Sequence, residues 1–385
     1  MKASAILSLA AASLLATGTA VAQQGVTKDE ISVATILALS GPAAAYSNQV
    51  LAGMRMRIAE INEQGGIHGR KIKLFVEDDG YDPKRAALAA QKLVSQDKVF
   101  IFVNQSGSAQ NAAAMPVKLS KGIVNFMPLS FSREMYEPPN KYKWGFLASY
   151  YDQARLMGPR LFNEKKAQRA CGFYQDDDFG TETMSGAEDG FKAEKIAFHE
   201  KASFKRGATD FSSQMARLKQ ANCDFVVLGS LLRETVGALI EARKIGFAPT
   251  FMTVASGYSE QVARLAGPAA EGLYAVMFSR VAYLDDSSEP VRRWANKYKT
   301  LFNEEPGVYS SFGYIGVDVL GRALNRAGPN LTTDSFIKAA EALHVPMDMF
   351  GTPELKFGPG KHLGSDKARL SQMQNGRWNV VLDYK

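Results

Sequence analysis

The stretch AEINEQGGIHG, residues 59–69, closes one element and opens the next. Upstream, Val50, Leu51, Met54, Ile58 and Ile61 recur at helical spacing, so Asn48–Gln64 reads as an amphipathic helix. Gly65-Gly66 stops it, because glycine takes the left-handed backbone of a helix C-terminus without a Cβ clash. Downstream, Lys71–Glu77 reads as a strand, and Ile31–Ala38 is the strand before the helix. Strand, helix and strand in this order predict a parallel sheet covered by helices.

The alternation continues outward. Pro83–Gln96 reads as a helix, Val99–Val103 as a strand, the residues from about Ala109 as a helix and Ile123–Met127 as a strand. After about Trp144 the pattern restarts. Helices are expected at Arg155–Asn163, Thr183–Ala193, Phe211–Gln220 and Glu234–Ile245. Strands are expected at Ala170–Tyr174, Lys195–Ser203, Phe225–Leu228 and Thr250–Val254. The fold class is therefore α/β, with two doubly wound parallel-sheet lobes. No Pro/Ser-rich tether parts them, and their join, Leu147–Asp152, carries Tyr150-Tyr151.

The 385 residues, 46% apolar and 22% charged, are enough to core two such units. The net charge of +7 is spread along the chain without basic runs or arginine–aromatic interleaving, which argues against a nucleic-acid partner. Lys2, the apolar residues 5–16 and Ala20-Val21-Ala22 read as an export signal cleaved after Ala22, which implies a periplasmic location. The apolar part is too short to span a bilayer. Cys171 and Cys223 each open an apolar run; they are either a disulfide or two buried thiols.

In open α/β sheets ligands bind beyond the carboxyl ends of the strands. That singles out the loops Ala38–Ser47, Asn104–Ala109, Pro128–Ser132 and Gln175–Thr181. The second contains Ser106-Gly107-Ser108 just where a strand gives way to a helix. Serines there cap a helix, or join its free N–H groups in holding an anion. Asp176-Asp177-Asp178 reads as a loop of solvated acids.

Leu39-Ser-Gly-Pro42 with Tyr46, the 59–69 stretch, Glu77-Asp-Asp79 with Asp82-Pro83, Asp176–Gly180, Thr209-Asp-Phe-Ser212 and Ala269-Ala-Glu-Gly272 occur in a telling order. Together they resemble the periplasmic branched-chain amino-acid-binding proteins of ABC transporters, which have a type I periplasmic binding fold. The resemblance runs from about Glu30 to the C-terminus. It implies lobes joined by a three-segment hinge, an N-lobe of 26–147 plus 277–345 and a C-lobe of 148–276 plus 346–385. It also implies a ligand held as the lobes close, a membrane permease as partner, a monomer, and no cofactor, metal or catalysis.

By the same resemblance Ser106 and Ser130, with the backbone N–H of Phe131, grip the ligand's carboxylate; Ser108, by its place at the helix start, is assigned to capping. Tyr46 and Phe179 match positions whose rings flank the ligand, and Leu129, Phe131 and Leu231 add apolar wall. The family's ammonium-accepting carboxylate falls near Ala255, in Thr253-Val-Ala-Ser-Gly257, and Leu231 stands where a tyrosine is common. A buried ammonium without its partner costs about 3–5 kcal/mol. The expected guest is therefore a small organic anion, an aromatic or hydrophobic acid rather than an α-amino acid. The alternatives are uptake of branched-chain or other hydrophobic amino acids, with Glu234 or Glu260 taking the amine, and ligand sensing for a membrane receptor. Arg233 either meets a second anionic group or is solvated. The family's N-lobe disulfide positions fall on Tyr81 and Gln105, so that bridge is missing. No Walker-type loop, Gly-x-Ser-x-Gly elbow or metal-spaced histidine occurs, which leaves an exported hydrolase without machinery.

Overall fold

The computed structural model describes residues 23–384. The export signal assigned to residues 1–22, with cleavage after Ala22, lies outside the described residues.

The first lobe begins β1 (Glu30–Leu37), α1 (Ala44–Glu63), β2 (Lys71–Asp78), α2 (Pro83–Ser95), β3 (Ile101–Val103), α3 (Ser108–Ser120), β4 (Val124–Phe126) and β5 (Lys143–Trp144). Its five strands are parallel in the order β2-β1-β3-β4-β5. The 59–69 stretch behaves as its chemistry dictates. Gly65 and Gly66 have φ of 100° and 72°, and the Gly66 N–H closes the helix on Ile61 C=O at 2.9 Å. Asn62 then pairs with the backbone of Ile72, tying the stop to β2.

The second lobe follows with α4 (Tyr150–Glu164), β6 (Ala170–Gln175), α5 (Asp178–Ala193), β7 (Phe198–Phe204), α6 (Ser212–Gln220), β8 (Phe225–Gly229), α7 (Leu232–Lys244), β9 (Thr250–Thr253), α8 (Gln261–Ala266) and β10 (Tyr274–Met277). The chain returns to the first lobe for α9 (Glu289–Phe302), α10 (Val308–Ala327) and α11 (Thr333–Glu341). A hairpin, β11 (His344–Val345) and β12 (Leu355–Lys356), comes next. The chain ends in β13 (Arg369–Gln374) and β14 (Arg377–Leu382), back in the second sheet. The β11–β12 pairing keeps residues 355–356 beside 344–345, where a boundary at 345/346 would part them.

The second sheet runs β14-β13-β10-β9-β8-β6-β7. It departs from the all-parallel expectation at one edge, where β13 and β14 are antiparallel. Asn375-Gly376, both with positive φ (53° and 74°), supplies the two-residue turn such a hairpin needs. β7 starts at Phe198 instead of Lys195, because Lys195 is left-handed (φ 60°) in the turn after α5. Cys171 and Cys223 are disulfide-bonded across the amino ends of β6 and β8, which settles the alternatives left open by the sequence.

The chain crosses between lobes three times, after β5, after β10 and after β12. Strand order reverses between β1 and β3 in one sheet and between β6 and β8 in the other, and the carboxyl ends of these four strands face a common cleft. α10 joins the first-lobe wall by lying directly on α1. A Cβ on Gly53 would sit 2.0 Å from Ser310 O, and one on Gly313 would sit 2.1 Å from Val50 O.

Candidate functional site

Between the lobes a cavity of about 20 Å³ is enclosed by side chains from both. That is room for about one water, so the lobes are closed nearly onto each other. Tyr46, Tyr81, Gly107, Ser108, Leu129, Phe131, Tyr309 and Phe312 come from the first lobe, and Tyr150, Phe179, Leu231 and Ser256 from the second. The rings form a continuous arc. From Tyr46 to Tyr309 the centroids are 4.9 Å apart, then 6.0 Å to Phe312, 6.0 Å to Phe131, 5.6 Å to Tyr150 and 4.7 Å to Phe179. Most of these pairs meet edge to face or tilted, the arrangement their quadrupoles favour. Burial pushes the phenols of Tyr46, Tyr81, Tyr150 and Tyr309 above their usual range, so all four stay neutral donors.

One end of the arc is polar. Gly107, at φ 82°, turns the chain from the strand end into α3. The first intrahelical bond is Asn111 N–H to Gly107 C=O at 3.1 Å, which leaves the N–H groups of Ser108, Ala109 and Gln110 without intrahelical acceptors. Ser108 Oγ and Ser130 Oγ lie 2.8 Å apart beside them. This is an anion-binding geometry: helix-start amides, two hydroxyls and low dielectric.

Of the residues the sequence proposes for the ligand, Tyr46, Leu129, Phe131, Phe179 and Leu231 stand on the cavity wall. Ser130 reaches it through Ser108. Three other expectations fall elsewhere. Ser106 continues the sheet: its N–H bonds Ile36 C=O at 3.1 Å, and its Oγ accepts from Ala38 N–H at 3.3 Å, off the lining. Ser108, expected as a cap, is the first residue of α3 and lines the cavity, while the cap position is Gly107. Arg233 is 42% exposed and paired with Glu234 at 3.0 Å, away from the wall.

Ala255 is buried behind the wall, its N–H bonded to Gln153 Oε1 at 2.8 Å, and its neighbour Ser256 is the residue that lines. No lining residue is acidic. Glu234 is buried against Arg233, and Glu260 faces an adjoining outer groove with Gln49. Asp177 is no solvated acid: it caps α5 through Gly180 N–H at 3.3 Å and pairs with Arg206 at 2.7 Å.

The sequence reading misses Tyr81, Tyr150, Ser256, Tyr309 and Phe312 on the wall. Tyr81 follows the conspicuous Glu77-Asp-Asp79 at a left-handed φ of 65°. Tyr150 belongs to the unusual Tyr-Tyr join. Tyr309 and Phe312, three residues apart at the start of α10, had the helical spacing that could have found them.

Two α/β lobes closing on an enclosed cleft at their sheets' switch points define a bilobed binding protein. The sequence profile of the family described as periplasmic binding protein matches residues 30–377, and the chain belongs to that family. The leucine-specific-binding protein of Salmonella typhimurium is 27% identical over 313 residues, 81% of this chain and 83% of that protein. The Leu/Ile/Val-binding protein of Escherichia coli is 29% identical over 247 residues, 64% of this chain and 66% of that one. A Thermus thermophilus branched-chain amino-acid ABC transporter protein with bound valine superposes with a TM-score of 0.84 at 18% identity, covering 94% and 97% of the two chains. A fatty acid ABC transporter substrate-binding protein from Thermomonospora curvata gives 0.83 at 20% identity, covering 94% of each. At these identities the two structures speak for the fold.

Proposed function

We propose that this chain is the substrate-binding component of an ABC importer, working in the periplasm, and that it captures a small carboxylate with a hydrophobic body. The observation that carries this reading is the α3 start, with its free N–H groups and the Ser108–Ser130 hydroxyl pair at one end of a ring-lined cleft. A carboxylate there accepts charge-assisted hydrogen bonds of about 1.5–3 kcal/mol each, and its body lies against the rings. A guest touching both walls would favour a closed state wider than the one described, whose cavity of about 20 Å³ holds about one water.

The relatives named for leucine, isoleucine and valine favour a branched-chain or other hydrophobic amino acid as the guest. Its ammonium would then be met by neutral phenols and ring faces. A second reading, an aromatic or hydrophobic acid without an α-amine, is favoured by one observation, the lack of any acidic residue on the lining. A melting-temperature panel of leucine, isoleucine and valine against aromatic and aliphatic acids separates the two, since a guest of the folded state raises the midpoint by mass action. Shifts with the amino acids alone support the first reading, and shifts with the amine-free acids alone support the second. A flat panel would remove the carboxylate reading itself.

A further inference from the structure

We infer that Glu260 is a clasp that holds the two lobes together by capping a helix of the opposite lobe. α10 is 20 residues long; its Ser310 Oγ accepts from Gly307 N–H at 3.2 Å, but the cap residue, Gly307, has no side chain to take the amides that follow it. The cap comes from across the cleft. Glu260, at the start of α8 in the second lobe, accepts from Val308 N–H at 3.3 Å with Oε2 and from Gln49 Nε2 of α1 at 3.0 Å with Oε1. Ser259 Oγ completes the set at 3.4 Å. A carboxylate at the amino end of a long helix gains from unpaired amides and the helix dipole together.

Gly307 makes the fit possible. A Cβ there would lie 2.4 Å from Gln49 Oε1 and 2.4 and 2.5 Å from the two Glu260 oxygens. Gln49 is buried to 6% exposure with its Oε1 unpartnered, so its amide is held through Nε2 on Glu260. The next residue along α10, Tyr309, both lines the cavity and donates its hydroxyl to Ser256 C=O of the second lobe at 2.9 Å. One helical turn thus joins the cavity wall to the clasp. Glu260 acts as a positioning residue: it places Tyr309 and favours closure without touching the guest. The clasp holds part of the population closed even without a guest.

Spin labels at the exposed Leu88 of α2 and Gln220 of α6 report the interlobe distance in the guest-free protein. The wild type is expected to show a short-distance population. Glu260→Ala should shrink its ratio to the open population at least tenfold, since it removes both charge-assisted hydrogen bonds across the cleft, from Val308 N–H and from Gln49 Nε2. Glu260→Gln, which keeps an acceptor, should shrink it less. Gly307→Ala should reproduce the loss with the charge still present, because the added methyl displaces the clasp while φ of −106° suits alanine, and it decides the matter should Glu260→Ala fold poorly. A wild type with no short-distance population, or variants with unchanged distributions, would overturn the clasp. No guest enters the measurement, so its outcome is independent of the carboxylate reading.

Discussion

Beneath its wall of the cleft the first lobe buries a lysine and an aspartate, Lys118 and Asp79, whereas beneath its own wall the second packs rings near a disulfide and holds its buried Glu234 against Arg233. Lys118 of α3 has no exposed surface, and burial pulls its pKa down. Its Nζ bonds Gln105 Oε1 and, at 2.7 Å, Asn125 Oδ1, over the Phe102 ring at 4.2 Å. Asn125 passes the network to Asn111 Oδ1 at 3.3 Å, and Asn111 Nδ2 bonds Gly107 C=O at 2.8 Å, at the start of α3. At similar depth in the second lobe Phe173 stacks on Phe204 at 4.7 Å and meets Phe211 edge-on at 5.5 Å, with Cys171 and Cys223 bonded nearby. The polar interior costs stability and fixes a loop. The apolar interior is stable and leaves its cleft wall greasy. On the proposed reading the first lobe takes the head group and the second closes over the body.

Four changes would break or sharpen this contrast. The largest effect is expected from Cys171→Ser with Cys223→Ser. Opening a bridge that spans 52 residues costs about 4 kcal/mol in the loop-entropy account. Chemical denaturation should show that loss while calorimetric affinity for a carboxylate guest holds. A matching collapse of affinity would mean that head-group recognition is not confined to the first lobe.

Next comes Ser108→Ala with Ser130→Ala. Two lost contacts to a carboxylate amount to about 3 kcal/mol or more, a weakening of at least a hundredfold. Calorimetry should find it with the melting temperature of the guest-free protein little changed. Ser106→Ala is the control, since its hydroxyl serves Ala38 N–H, and it should leave affinity near that of the wild type.

The first lobe's buried charge has a pH signature. Asp79 has no exposed surface, and burial pushes its carboxyl up to about 6 from 3.8. The folded protein therefore holds a proton that the unfolded chain has released, between those two values. This contribution is fully present below pH 4 and is lost as pH rises through 6, by up to about 3 kcal/mol. Urea midpoints for wild type and Asp79→Asn should differ in slope between pH 4.5 and 7.5, with the variant flatter. Parallel curves would place that charge outside the folded lobe's interior.

The smallest effect belongs to the second wall. Leu231→Ala removes apolar surface from the closing face, and affinity for a hydrophobic guest should fall by about 1–2 kcal/mol. On the proposed reading, in which this wall closes over a guest already held at the α3 start, the loss should appear in the dissociation rate. A loss in the association rate alone would reverse the assigned order of contact.

Most of the architecture is written in local patterns. The Gly65-Gly66 stop, the apolar periodicity of α1 and the runs at β1, β3, β6 and β8 each specify their element within ten or so residues, so the α/β order is legible without tertiary information. The β13–β14 hairpin had a local sign too, in Asn375-Gly376, that the parallel reading passed over. The cavity is less legible because it gathers residues far apart in the chain. Ser106 and Ser108 differ by one backbone turn: sheet pairing captures the first, and the left-handed Gly107 swings the second into the cleft. Tyr309 and Phe312 reach the wall only because α10 returns to the first lobe after the second lobe has been laid down through β10. Tyr81 looked like the relic of a missing bridge and is instead a wall, its hydroxyl accepting from Gln175 of the other lobe at 3.3 Å.

The central claim is that a negatively charged head sits at the start of α3. Calorimetric titration of matched acids and methyl esters, leucine with its ester and benzoate with its ester, tests it most directly. At least one acid should bind a hundredfold or more tighter than its ester, since esterification removes the charge and leaves the body. Esters that bind as tightly as their acids, or four compounds that do not bind at all, would contradict it.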